Sequence, residues 1–356
     1  MNKEMISARQ VSVLSFFLIR SLFLLFGITS LFVMAKNDIL IVIPIGTILG
    51  LIPLLLYNYI NNKLKGDNIY LKIKKIFNKP LGLIINITII ILLLLLGSYL
   101  LLTITSYISY SLVPKISLLA ISLTFLLLAL NISYKGIETI ARTSEILLFI
   151  FILLFSISLI GLGGFISLNN IRPLLSTNIT SIINASLVYA GLSTAPLFLL
   201  SVIPKASIVD TNNYTKRKII TYLITSLIIW IFCFLTLSIL GDNLTLSYSY
   251  PTTLILKKVR FLKIIERLEG ILSIHWLFDL ILLMSLLLLN LKEGIKVVFN
   301  LNKVKDIKKS LILIGIFLFL GSNYIKHQMS YYIIMLGILG GIIPLIIGIK
   351  LRKDKS

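Results

Sequence analysis

SIINASLVYAGLSTAPLFLLSVIP, residues 181–204, is an apolar run of 24 residues with its own punctuation. Wound as a helix it measures about 36 Å, enough to cross the roughly 30 Å hydrocarbon layer of a bilayer. Inside it, Gly191 and Pro196 bracket Leu192, Ser193, Thr194 and Ala195. Pro196 brings no N–H and disfavours helical geometry at Ala195. The run is therefore either a helix interrupted near mid-membrane or a kinked continuous one. The two differ in consequence. An interruption bares backbone N–H and C=O groups that lipid cannot satisfy, so it is tolerated only beside a cavity.

Runs of this kind recur along the whole chain. Ten spans are predicted: 11–34, 39–60, 81–106, 116–134, 144–168, 181–204, 219–241, 270–291, 310–324 and 331–350. The chain is 58% hydrophobic and only 13% charged, whereas soluble domains carry about a quarter charged residues. The runs do not alternate as barrel strands would. The expectation is an all-α polytopic membrane protein, residues 1–356 forming a single transmembrane domain in contact with membrane lipids. No gap between runs is long enough for a large soluble domain. The run after Lys3 and Arg9 is too long for a cleaved signal core, so it is read as a retained first span.

The formal net charge is +21. Its basic residues lie in short loops between apolar runs, which gives nucleic acid no footprint. They do set direction. One face collects 24 of the 34 Lys and Arg and the other only nine, which predicts both termini on the cytoplasmic side. One outer-face stretch defies the rule: PTTLILKKVRFLKIIERLEGILSIHWLF, residues 251–278, carries five of those nine. It reads as a short interfacial helix, a break at Lys257–Arg260 and a turn into span eight, serving as a solvated loop or as an outer lid.

The single cysteine, Cys233, lies within an apolar run and reads as a small hydrophobe. With two histidines, no P-loop, no dinucleotide motif and no nucleophile–base constellation, the sequence argues against an enzyme, a cofactor and a transition-metal centre.

Ionisable residues within the spans are few. Arg20 stands about 14 Å deep in span one, and Asp279 about 13 Å deep in span eight from the other face. Each left facing lipid would cost roughly 2.5–3.5 kcal/mol. His275 lies one turn before Asp279 and makes with it either a proton relay or a structural hydrogen bond. Tyr99 and Thr103, one turn apart in span three, offer hydroxyls to a ligand or to a neighbouring helix.

Four segments resemble the GerAB-type spore-germination permease family. They are Ile6-Ser7-Ala8-Arg9-Gln10 before span one, Gly136 to Ile146 (GIETIARTSEI) before span five, Pro204 at the end of span six, and Tyr250-Pro251-Thr252 followed by Glu266-Arg267-Leu268-Glu269 and Trp276. The resemblance runs along nearly the whole chain. It departs from the family at Ala195, where an acidic residue is common, and at Phe149, where the family has a proline.

The resemblance implies membership of the amino acid–polyamine–organocation superfamily. The fold would be LeuT-like: two five-helix repeats of inverted topology, about 11–168 and 181–350. Spans one and six would be discontinuous, with ligand held between them and spans three, eight and ten. Breaks at Gly27-Ile28-Thr29-Ser30 and at Gly191–Pro196 would then present Gly27, Thr29, Gly191, Ser193 and Thr194, with Tyr99 and Thr103, to a small germinant or amino acid. Spans one and eight would be neighbours where sodium-coupled relatives hold an ion. Arg20 and Asp279 would pair there, the arginine a fixed cation in place of a mobile one, or each would snorkel or face water separately. The function implied is a germinant-receptor subunit of the spore inner membrane, partnered by a larger membrane subunit and a lipoprotein. The alternatives are a secondary amino acid transporter and a scaffold that has lost its ligand.

Overall fold

The computed structural model describes residues 4–23, 27–248, 250–257, 269–301, 303–324 and 329–353. Helix α1 (Ala8–Leu22) is followed by α2 (Ile28–Ala35), α3 (Ile39–Asn62) and the short α4 (Ile69–Ile76). The long α5 (Lys79–Ser111) leads to α6 (Leu118–Tyr134), α7 (Ile137–Leu162) and α8 (Ile179–Phe198). Then come α9 (Tyr214–Ser247), the one-turn α10 (Pro251–Leu256), α11 (Glu269–Val298), α12 (Val304–Tyr324), α13 (Met329–Gly337) and α14 (Ile343–Lys353). Two short strands, β1 (Ile6–Ser7) and β2 (Ile208–Val209), pair in parallel, Ile6 opposite Ile208.

Among the described residues, eight helical stretches are long and apolar enough to cross a membrane. The shortfall from ten lies in α1, of 15 residues, and α6, of 17. Helices α1, α8 and α11 form the centre. The α1 helix touches α7, α8, α9 and α11, and α11 touches α5, α6 and α7 as well. Outward, Ile48, Ile84, Phe149, Ile160 and Leu313 are exposed and form part of a lipid-facing belt.

Predicted boundaries shift where polar residues continue a helix beyond its apolar run. Helix α7 begins at Ile137, seven residues early, and its added first turns carry Glu138 and Arg142, 3.9 Å apart. Helix α9 runs past the predicted end at Gly241, where it changes direction at φ 72°. The charged stretch after Lys257 and the Glu266-Arg267-Leu268 segment lie outside the described residues, so the break and the lid expected there do too.

The interruption expected at Gly191–Pro196 is corrected. Helix α8 is wound through all six residues and tightens into a 3-10 turn only at Leu199–Val202. The Ser193 and Thr194 hydroxyls donate back to the carbonyl of Ala190, at 3.2 and 2.6 Å, in the turn before the proline. The small residues serve packing: a Cβ on Gly340 would stand 2.7 Å from that of Ala195. In span one, Gly27 has helical φ and ψ, and Ile28-Thr29-Ser30 open α2. Residues 24–26, just before Gly27, lie outside the described residues.

Two of the sequence segments that carried the family resemblance meet at the end of the bundle where the chain begins. Ser7 and Gln10 form a capping box on α1. The same Gln10 donates its amide to Glu145 at 3.0 Å, and Arg9 stands 3.6 Å from that carboxylate. Glu4 accepts the N–H of Ile137 at 2.8 Å, just after Gly136, whose φ of 91° favours glycine.

Candidate functional site

Arg20 sits in the last turn of α1. Its Nη2 donates to Asp279 Oδ2 at 2.7 Å and to Oδ1 at 3.0 Å, and its Nε donates to Oδ1 at 3.2 Å. Neither side chain is exposed. The face of the guanidinium lies 3.8 Å from the Phe151 ring centroid, and Phe16 stands at 4.7 Å. The cation is thus held twice, by hydrogen bonds to the carboxylate and by the quadrupoles of the aromatic rings. Among the described residues Arg20 Nη1 has no hydrogen-bond partner.

His275 joins the same cluster through its ring. Its ring lies 5.5 Å from that of Phe151 and stacks on Phe232 at 6.0 Å. Sequence reading found the three ionisable residues and missed their aromatic walls. The Phe16-Phe17 doublet one turn before Arg20 was the available signal; Phe151 gave none.

Among the described residues, the remaining candidates fall around more than one space. Where α1, α5, α8, α11 and α13 converge, the space is about 20 Å³, lined by Leu22, Leu96, Pro196, Leu283, Leu287 and Tyr332. That is close to the room one water needs. Tyr99 reaches this region and stacks on Tyr332 with centroids 4.4 Å apart. Thr103 turns its hydroxyl to the carbonyl of Tyr99 in its own helix, at 2.7 Å. A Cβ on Gly27 would stand 2.9 Å from Leu192 Cδ1, so this glycine lets α2 approach α8. Thr29 is half-buried beside it. Ser193 shares a hydrogen bond with the Tyr222 hydroxyl at 3.1 Å. Gly191 and Thr194 face another space, an apolar crevice of about 280 Å³ between α3, α8 and the α13–α14 turn.

Sequence reading also missed Asn290. From the leucine-rich run of α11 it donates to the carbonyl of Leu199 at 2.9 Å, the start of the 3-10 turn, and so ties the end of span six to span eight. A lone Asn amid LLLLNL was legible as an anomaly.

Among solved structures, the fold is similar to that of Mhp1, a nucleobase-cation-symport-1 family transporter in a closed conformation with bromovinylhydantoin bound. The TM-score is 0.65 at 15% identity, over 96% of this chain and 78% of that one. That likeness places the chain in a transporter fold of the LeuT type. No curated protein matches the sequence. The model of the family described as "Spore germination protein" matches residues 6–330. Over that length, nearly the whole of it, the chain belongs to the spore germination permease family.

Proposed function

We propose that this chain is the permease-like subunit of a germinant receptor in the spore inner membrane. It crosses the membrane ten times with both termini cytoplasmic, α1 and α2 together making the first crossing and α6 the fourth, in two repeats of five. It binds an amino acid or similar small germinant and passes the change to a larger membrane subunit and a lipoprotein. The observation that carries this reading is the family match across residues 6–330. The basic residues, 24 against nine, support the orientation.

The Arg20–Asp279 pair suits a receptor that needs no mobile cation. The guanidinium fills the position between spans one and eight, and it couples them whenever α1 moves. A ligand acts by binding one arrangement of these helices better than the other.

The test is germination of spores in which the gene for this chain is deleted and then restored as wild type or as Asp279→Asn. Loss of the response to one amino acid class, restored by the wild type alone, supports the reading. An unchanged response in the deletion overturns it. A transporter reading is favoured by the likeness to Mhp1. Saturable uptake of radiolabelled amino acid into proteoliposomes would select it.

A further inference from the structure

A second chamber, of about 400 Å³, opens at the end of the bundle where the chain begins. That is within the range of small-molecule sites, roughly 300–1,000 Å³. It lies farther along the same helices that close the central space. Leu199 and Leu287 line the centre, while Val202, Ile203 and Leu289 line this chamber.

Its walls differ in chemistry. One is apolar: Ile137, Val202, Ile203 and Leu289. The other carries Lys292, Glu293 and Lys296 from α11, with Glu4 from the N-terminal segment. Lys292 and Lys296 are four residues apart, hence on one helix face, where like charges repel. Glu293 stands 3.8 Å from the Lys296 ammonium, a loose pair. The hydrogen bond from Lys292 to the Ser133 carbonyl is long, at 3.4 Å. The chamber therefore holds two ammonium groups and two carboxylates, near neutrality as a set.

We propose that this chamber is a binding site for a zwitterionic small molecule with an apolar side chain, an α-amino acid of the leucine type. Its carboxylate would lie on Lys292 and Lys296, its ammonium on Glu4 and Glu293, and its side chain against the Ile137–Leu289 wall. A ligand of one charge alone engages only one of the two pairs, the ammonium groups or the carboxylates. A zwitterion satisfies both. The site is separate from the central space. It rests on the receptor reading only for which face is cytoplasmic, and on that face it would sense the cell's own amino acid pool.

The experiment uses the full chain in nanodiscs carrying Cys233→Ala and Ser207→Cys, the latter residue lining the chamber. The rate at which a thiol reagent modifies the introduced thiol is followed with L-leucine, 4-methylpentanoate or isopentylamine as probes. L-leucine is expected to slow modification saturably, and the two single-charge analogues to leave it unchanged. Lys292→Gln or Glu4→Gln each removes a charge-assisted bond and is expected to weaken protection by about ten-fold or more. Lys292→Arg should retain it, which separates charge from misfolding. Absence of protection by L-leucine overturns the proposal. If amino acids still raise the melting temperature in that case, the receptor reading stands; if they do not, both fall. Protection that persists in Lys292→Gln and Glu4→Gln also overturns it.

Discussion

The indole Nε1–H of Trp230 in α9 donates to the carbonyl oxygen of Leu40 in α3, at 2.9 Å. Leu40 is four residues before Pro44, the position whose N–H would ordinarily take that carbonyl. A proline defect in one span is repaired by a tryptophan from another. Trp230→Phe keeps most of the packing and removes the donor. It is expected to lower stability by about 1–3 kcal/mol, the cost of a buried unsatisfied carbonyl. Reversible unfolding in mixed micelles measures it, and no loss would mean the bond carries nothing.

Arg20→Gln and Asp279→Asn should each destabilise by about 3–5 kcal/mol, because each strands the other's charge away from water. The double variant strands neither. Its loss is expected to fall short of the sum of the two by about 1–3 kcal/mol. Additive losses in this cycle would mean that the two groups act independently.

The legibility of these features in the sequence follows from cost. A charged residue in an apolar run is expensive, so Arg20 and Asp279 announced themselves, and so did the bundle architecture. Their meeting across 259 residues required the fold. Phe151 could not be singled out among leucines, isoleucines and other phenylalanines, since nothing in composition marks a ring that sits under a cation. Gly191–Pro196 was read as a possible break because glycine and proline weaken a helix. The helix continues through them all the same, with the Ser193 and Thr194 hydroxyls bonded back to Ala190 and the small Ala195 side chain packed against Gly340. Lys292 and Lys296 counted as loop charge in the sequence, whereas α11 continues to Val298 and turns both into the chamber wall.

The contact between Gly340 and Ala195 sets how closely α8 approaches the π-helical turn Ile338–Ile342. A Cβ at Gly340 would lie 2.8 Å from the Ala195 Cα, which belongs to the backbone of α8 and cannot swing away. The Gly340 carbonyl also accepts the Tyr57 hydroxyl. Gly340→Ala is therefore expected to cost about 1–3 kcal/mol by overpacking. Adding Ala195→Gly should recover part of that loss. A Gly340→Ala variant as stable as the wild type would show that the helices can part at no cost.

Outside the membrane spans, Lys72 on α4 is wholly buried, its ammonium donating to the carbonyls of Ile60 at 3.0 Å and Asn61 at 3.3 Å at the end of α3. Burial pushes its pKa down to about 8, Asp67 opposing and Lys205 adding to the fall. In the unfolded chain a lysine titrates near 10.4. Between these values the folded protein has shed the proton and the unfolded chain still holds it. The unfolded state then binds more protons, so this residue's contribution to stability rises with pH from about 8 to about 10.4 and is flat below. Lys72→Met removes the titration and should flatten that rise. The measurement is the stability difference between wild type and variant, followed from neutral to alkaline pH. A difference independent of pH across that window would mean that the carbonyls of Ile60 and Asn61 hold the ammonium charged as firmly as water does.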